Sequence, residues 1–277
     1  MNEKIRVGFV KLGNIGTSTM LDLMLDERAE REDVDFRVVT SGPQMTEENG
    51  REVSKKVLDF DPNLILTASP NPTTPGPSAA REVLEDVDVP CIVIGDAPGA
   101  KISEELEEKG FGYIFINADA MIGARREFLD PVEMALFNSY LIKTLAVTGA
   151  LSAVQEEVDL TISKIKEDER YLPQLIVDRD KSIDVAEFEN PYAKTKAMAA
   201  FEIASKVADL TFEGCFKIQE SEKYIPIVGS AHEMMRVAAK LSDEAREIEK
   251  GENSVLRKPH YDDGSILRKR KFLASPE

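Results

Sequence analysis

The stretch Ile5-Arg6-Val7-Gly8-Phe9-Val10-Lys11-Leu12-Gly13-Asn14-Ile15-Gly16-Thr17-Ser18 decides the fold. A short apolar run stops at a glycine-rich turn, and a hydroxyl residue then caps a helix predicted over residues 17–28. The same unit repeats along the chain. Further strands are predicted at 34–39, 63–67, 90–94 and 113–116, and further helices at 46–60, 77–85 and 103–109. Alternation at this spacing means a parallel sheet with helices on both faces. The strands are continuous apolar runs, as strands buried on both sides require.

Beyond residue 130 the pattern becomes helical. Asp130-Pro131 opens a helical stretch to about residue 169, Asn190-Pro191 opens another over 192–208, and 230–250 is helical again. Residues 175–177 read as a strand, and 210–218 fit neither pattern. Asp262-Asp263-Gly264-Ser265 reads as a turn between two extended pieces of a basic tail. The fold class expected is therefore α/β: an open, mostly parallel sheet with helices on both faces, then a mainly helical part and a small extended C-terminal segment. The division expected is 1–128 for cofactor and substrate, 129–256 for interface and cleft wall, and 257–277 as the tail.

Composition removes several function classes. A net charge of −16 over 277 residues argues against nucleic acid and against an anionic membrane surface as partners. Cys91 and Cys215 sit far apart in apolar stretches, with no metal-knuckle spacing, which points to a reduced cytoplasmic setting. The N-terminus runs straight into a strand pattern, so no signal peptide is expected. No apolar run reaches about 18 residues. The longest, 134–154, is interrupted by Asn138, Lys143 and Gly149 and reads as a buried helix. Two isolated histidines, His232 near a predicted helix start and His260 in the tail, make a metal site unexpected.

In a doubly wound sheet the ligand lies at the carboxyl ends of the strands. Here that edge carries Lys11-Leu12-Gly13-Asn14-Ile15-Gly16, Thr40-Ser41-Gly42-Pro43, Ser69-Pro70-Asn71-Pro72, Gly95-Asp96-Ala97-Pro98-Gly99 and the run from Asn117 through Arg126. Each loop alone could be a tight turn and nothing more; five on one edge point to a binding cleft. The nicotinamide fingerprint is missing: the first glycine pair, Gly8 and Gly13, is spaced wrongly, and the second strand ends in Thr40-Ser41 rather than an acid. An NADP-dependent dehydrogenase and a non-catalytic module for a phosphorylated metabolite both stay open on these residues.

Longer motifs narrow the field. The loops at 11–16, 69–77 and 95–99, the run Asp119–Asn138 (DAMIGARREFLDPVEMALFN), NPYAKTKAMAAFE at 190–202, YIPIVGSAHE at 224–233 and RKPH at 257–260 resemble the archaeal coenzyme F420-dependent methylenetetrahydromethanopterin dehydrogenases over nearly the whole chain. That resemblance implies reversible hydride transfer between methylenetetrahydromethanopterin and coenzyme F420 in one-carbon metabolism and methanogenesis. It implies no metal, no flavin, and a homo-oligomer (a hexamer or another multiple of a dimer) with an intersubunit cleft. The methenyl product is a cation, which makes Asp96, Asp119 and Glu127 the candidate catalytic carboxylates. The coenzyme is anionic, which makes Lys11, Gly13, Asn14, Ile15, Gly16, Ser69, Pro70, Asn71, Pro72, Arg125 and Arg126 the candidate cofactor-binding residues.

Overall fold

A computed structural model describes residues 4–26, 31–122 and 128–277. Two compact units share the chain and are interleaved in sequence, whereas the element pattern divides it into contiguous blocks. The first unit comprises Met1–Ile116, Val154–Ile176 and His260–Ile266; the second comprises Asn117–Ala153, Val177–Pro259 and Leu267–Glu277.

The first unit is built on strands β1 (Ile5–Lys11), β2 (Val34–Thr40), β3 (Leu64–Ser69), β4 (Cys91–Asp96), β5 (Gly112–Ile116) and β6 (Gln174–Val177). Helices α1 (Gly16–Asp26), α2 (Glu47–Leu58), α3 (Pro75–Leu84) and α4 (Ser103–Glu108) connect them. The sheet order is β2-β1-β3-β4-β5-β6, and β1 pairs in parallel with both β2 and β3. The α/β class read from the alternation is the class observed. Every residue of β3, β4 and β5 is buried, which is why these strands are apolar without alternation. On one face Val10, Ile65, Val93 and Phe115 pack with Val53 and Val57 of α2, Ala80 and Leu84 of α3 and Leu106 of α4.

The order has one consequence for function. The chain leaves β1 toward β2 on one side and returns across β1 to β3 on the other. The connections after β1 and β3 therefore leave in opposite directions along the sheet, the switch point at which open parallel sheets ordinarily take their ligands.

The second unit contains α5 (Pro131–Thr148), α7 (Arg179–Ala186), α8 (Pro191–Phe212) and α9 (Ser221–Gly251), with α6 (Ala150–Lys166) running from it into the first unit. Alanines bring α8 and α9 close: Ala193, Ala197, Ala200 and Ala204 are buried on one helix, Ala231, Ala238 and Ala245 on the other. Asp130 and Asn190 cap α5 and α8 through their carboxylate and amide oxygens, as their Asp-Pro and Asn-Pro signatures predict.

Several boundaries differ from the sequence pattern. The single helical stretch of 130–169 is cut at Gly149, whose φ of 101° ends α5 in the left-handed region. The 134–154 run is not wholly buried either, since Met134 and Leu136 of α5 are exposed. Helix α9 begins nine residues before the predicted start at 230, because it carries Pro226 and Gly229 inside its opening turns where both read as breakers. Residues 213–217 form a π turn, and α7, too short to show a clear apolar stripe, has no counterpart in the pattern. Two antiparallel bridges, Arg257↔Lys269 and His260↔Ile266, close the tail around the predicted turn.

Candidate active site

The carboxyl edge of the sheet is held by backbone hydrogen bonds that reach across strands. Leu12 N–H donates to Ala68 C=O at 2.9 Å, and Gly13 N–H to Gly42 C=O at 3.0 Å. The turn after β1 is thereby wedged between the ends of β2 and β3. Gly13 sits at φ 74°, and a Cβ there would lie 2.7 Å from Met45 Sδ and 3.0 Å from Pro70 Cδ. Both the conformation and the close approach call for glycine. Helix α1 starts three residues on, with Ser18 Oγ donating to Ile15 C=O at 2.8 Å and with Thr17 and Ser18 buried.

Lys11 ends β1, and its ammonium is paired with Asp22 of α1 at 2.5 Å. The next turn, after β3, is organised around Asn71, which is 8 % exposed. Asn71 Oδ1 accepts from Thr73 N–H at 3.1 Å and Thr73 Oγ1 at 2.7 Å, and its carbonyl accepts from Thr74 Oγ1 at 2.8 Å. Those bonds fix which way the Asn71 amide group faces. Asp96, the last residue of β4, is 6 % exposed, and residues 97–102 turn away from it in a 3-10 helix. Asp119, three residues past β5, is fully buried. Lys11 with its Asp22 partner, the Asn71 turn and the strand-end carboxylate Asp96 thus share one edge.

Comparison with known proteins decides the family. The model of the methylene-5,6,7,8-tetrahydromethanopterin dehydrogenase family matches residues 5–277. The chain belongs to that family. It is 55 % identical over 276 residues to the F420-dependent methylenetetrahydromethanopterin dehydrogenase of Methanopyrus kandleri, covering 97 % of this chain and 98 % of the relative. It is 55 % identical over 274 residues to the enzyme of the same name from Archaeoglobus fulgidus, covering 99 % of each. A solved structure of an F420-dependent methylene-tetrahydromethanopterin dehydrogenase, in complex with methylene-tetrahydromethanopterin and coenzyme F420, superposes with a TM-score of 0.94 at 54 % identity. It covers 99 % of this chain and 100 % of that one.

For a methylenetetrahydromethanopterin dehydrogenase, the predicted residues Lys11, Gly13, Asn14, Ile15, Gly16, Ser69, Pro70, Asn71, Pro72 and Asp96 fall together on one edge of the first unit. Asp119 belongs to the second unit. Arg125, Arg126 and Glu127 lie outside the described residues.

Two constellations were not legible in the sequence. In the second unit the His232 ring stacks on Phe137 at 4.2 Å and meets the edge of Phe128 at 4.8 Å. Its Nδ1–H donates to Glu133 Oε1 at 2.8 Å. Burial pushes the His232 pKa down, against the pull of Glu133. The signal was indirect: Phe128, Glu133 and Phe137 lie in one quoted motif and His232 in another, and folding brings the two together. His232 also lies mid-helix rather than at a helix start, because α9 begins at Ser221.

The second constellation sits at the opposite, amino edge of the sheet. Arg31 donates to Asp33 at 2.9 and 2.8 Å and to Asp159 at 2.8 Å; Asp159 also accepts from His260 Nε2 at 2.6 Å, and Lys166 pairs with Asp33 at 2.7 Å. Burial acts to raise the Asp33 carboxyl, but Arg31 and Lys166 outweigh it and hold it at about 2. Among the described residues no group of three or more His, Cys, Asp or Glu could hold a metal ion.

Proposed function

We propose that this chain catalyses reversible hydride transfer between methylenetetrahydromethanopterin and coenzyme F420, in the one-carbon metabolism of an archaeal cytoplasm, as a homo-oligomer. The observation that carries the reading is the close match, over essentially the full length of both chains, to a structure whose two ligands are that substrate and that coenzyme. The reversal of strand order at β1 and β3 puts the predicted residues at the edge where such sheets take ligands, in agreement with it.

Direct hydride transfer asks little of acids and bases. A C–H bond of the methylene bridge breaks and its hydrogen leaves with both electrons for the deazaflavin ring. The ring takes a proton from solvent, and the bridge is left as the methenyl cation. The protein has to hold two rings in contact and keep water out. Proline-bounded turns at Pro70, Pro72 and Pro98 give that edge its stiffness. The Lys11 ammonium and the Gly13–Gly16 turn beside it are assigned to the anionic coenzyme. Asp96 is assigned to the developing cation, whose charge it would stabilise most in the transition state. Asn71 is assigned to the coenzyme through its amide nitrogen, since Oδ1 is used within its own turn.

Self-association is supported by α5, which carries apolar residues on every side yet exposes Val132, Met134 and Leu136. A helix apolar all round ordinarily lies inside a protein, so a second copy is assigned to this face. Among the described residues no single helix is long and apolar enough to cross a membrane. Both cysteines are free, Cys91 being buried, which fits a reducing compartment.

The test is to mix purified protein anaerobically with oxidised F420 and methylenetetrahydromethanopterin and follow the coenzyme's visible absorbance. Bleaching only with both substrates present is the expected result. No bleaching, whether or not NADP is reduced instead, sinks the reading.

A further inference from the structure

We propose that Arg81 is a positioning residue for this reaction: from within the first unit it holds the turn Ser69–Pro72, and through it Asn71, against the coenzyme. The inference rests on the dehydrogenase reading and on the carboxyl-edge site.

Arg81 lies in the last turn of α3 and is only 6 % exposed. Its side chain runs back toward the start of the helix, as helical side chains do. There Nη1–H donates to Pro72 C=O at 2.7 Å. Among the described residues no carboxylate forms an ion pair with this guanidinium; Glu105 and Glu82 act on it only at longer range. The neighbouring Cys91 thiol is pushed up to about 12 by burial, so it brings no negative charge near neutral pH. Burial pushes the Arg81 pKa down, as an uncompensated cation in the interior should behave.

Such a charge is costly to bury. A core position alone would be filled more stably by leucine or methionine. The turn explains why arginine stands here. Pro70 and Pro72 have no N–H, so two of its four residues cannot anchor themselves by donating. The turn has to be held through its acceptors. Asn71 C=O is taken by Thr74, and Pro72 C=O by Arg81. A charge-assisted bond is shorter and stiffer than a neutral one, which suits the carbonyl next to the residue that must not move. The turn also forms the contact between strand ends. Pro70 packs on the Gly13 turn, with a Cβ at Gly13 falling 3.0 Å from Pro70 Cδ. Pro72 packs on Gly95, with a Cβ there falling 2.8 Å from Pro72 Cδ. A shift at Pro72 would pass to the turns before Asn14 and Asp96 on either side.

The experiment is steady-state kinetics of the unmodified protein, Arg81→Met, Arg81→Lys, Asn71→Ala and the double variant Arg81→Met/Asn71→Ala, with thermal melting of each. Arg81→Met is expected to raise KM for oxidised F420 by about tenfold with kcat changed by less than about threefold. Arg81→Lys should recover most of that loss. The double variant should be little worse than Asn71→Ala alone, because both act through one turn. A positioning role is overturned if Arg81→Met only lowers the melting temperature, or if its effect on KM multiplies with that of Asn71→Ala. Should Arg81→Met fail to fold, Arg81→Leu, which also removes the donor to Pro72 C=O, takes its place in the same cycle under the same criteria. Inert unmodified protein would overturn the dehydrogenase reading itself, and this inference with it; active protein with an unaffected variant overturns only the role of Arg81.

Discussion

Replacing Gly13 by alanine tests the strand-end geometry most directly, because the structure provides its own control. Gly13 and Gly42 both have positive φ, 74° and 62°. Forcing an L side chain into that region costs about 1–2 kcal/mol at either position. The surroundings differ. A Cβ at Gly42 meets nothing within 4 Å, whereas one at Gly13 meets Met45 Sδ at 2.7 Å and Pro70 Cδ at 3.0 Å. The thioether end can swing away; the proline ring, bound into its turn, cannot. Crowding of this kind adds about 1–3 kcal/mol. At about 2–4 °C per kcal/mol, Gly13→Ala should melt roughly 2–12 °C below Gly42→Ala. It should also raise KM for F420 about two- to tenfold, since Pro70 must give by tenths of an ångström. Melting is followed by circular dichroism at matched protein concentration, and KM by coenzyme absorbance. Equal melting of the two variants, with KM unchanged in Gly13→Ala, would refute the account of this turn.

Three further outcomes are expected. Asp159→Ala removes the shared acceptor of Arg31 and His260; it should destabilise by about 3 kcal/mol, since two buried groups lose a partner, yet leave both KM values in place because the cluster lies at the amino edge. A changed KM would show that this edge communicates with the site. His232 has a pKa below its ordinary 6.5 because it is buried, so the folded state binds fewer protons than the unfolded chain just below that pH. The stability this neutral ring contributes is complete above pH 6.5 and is lost as pH falls through the lower folded value. His232→Gln should therefore flatten the fall in melting temperature between about pH 6.5 and 5, and profiles that run parallel would rule this out. Leu136→Glu places a charge on the exposed apolar face of α5; light scattering after size exclusion should report a smaller species, and an unchanged mass would move the interface elsewhere.

Local pattern was enough for much of this protein. Alternating strands and helices up to residue 116, the Asp-Pro and Asn-Pro helix starts and the turn at 262–265 follow from periodicity and capping, which act over a few residues. The carboxyl-edge loops were legible for the same reason: a strand followed by glycine and proline marks the edge wherever that strand sits in the sheet. Other features depend on pairings with no local signature. Nothing near Gly13 or Asn71 says that β1 and β3 are neighbours; only the strand order β2-β1-β3-β4-β5-β6 does. Nothing local sets Arg81 apart from any other helical arginine; only the fold brings Pro72 C=O to its guanidinium. Arg31, Asp159 and His260 are separated by 128 and 101 residues and share one buried network. Glu133 and His232, 99 residues apart, meet only because α5 and α9 cross there. Composition and periodicity determined which elements form and which ends carry chemistry; tertiary structure alone decided which of those ends meet, because the energy of a contact depends on distance in space and leaves no period in the chain.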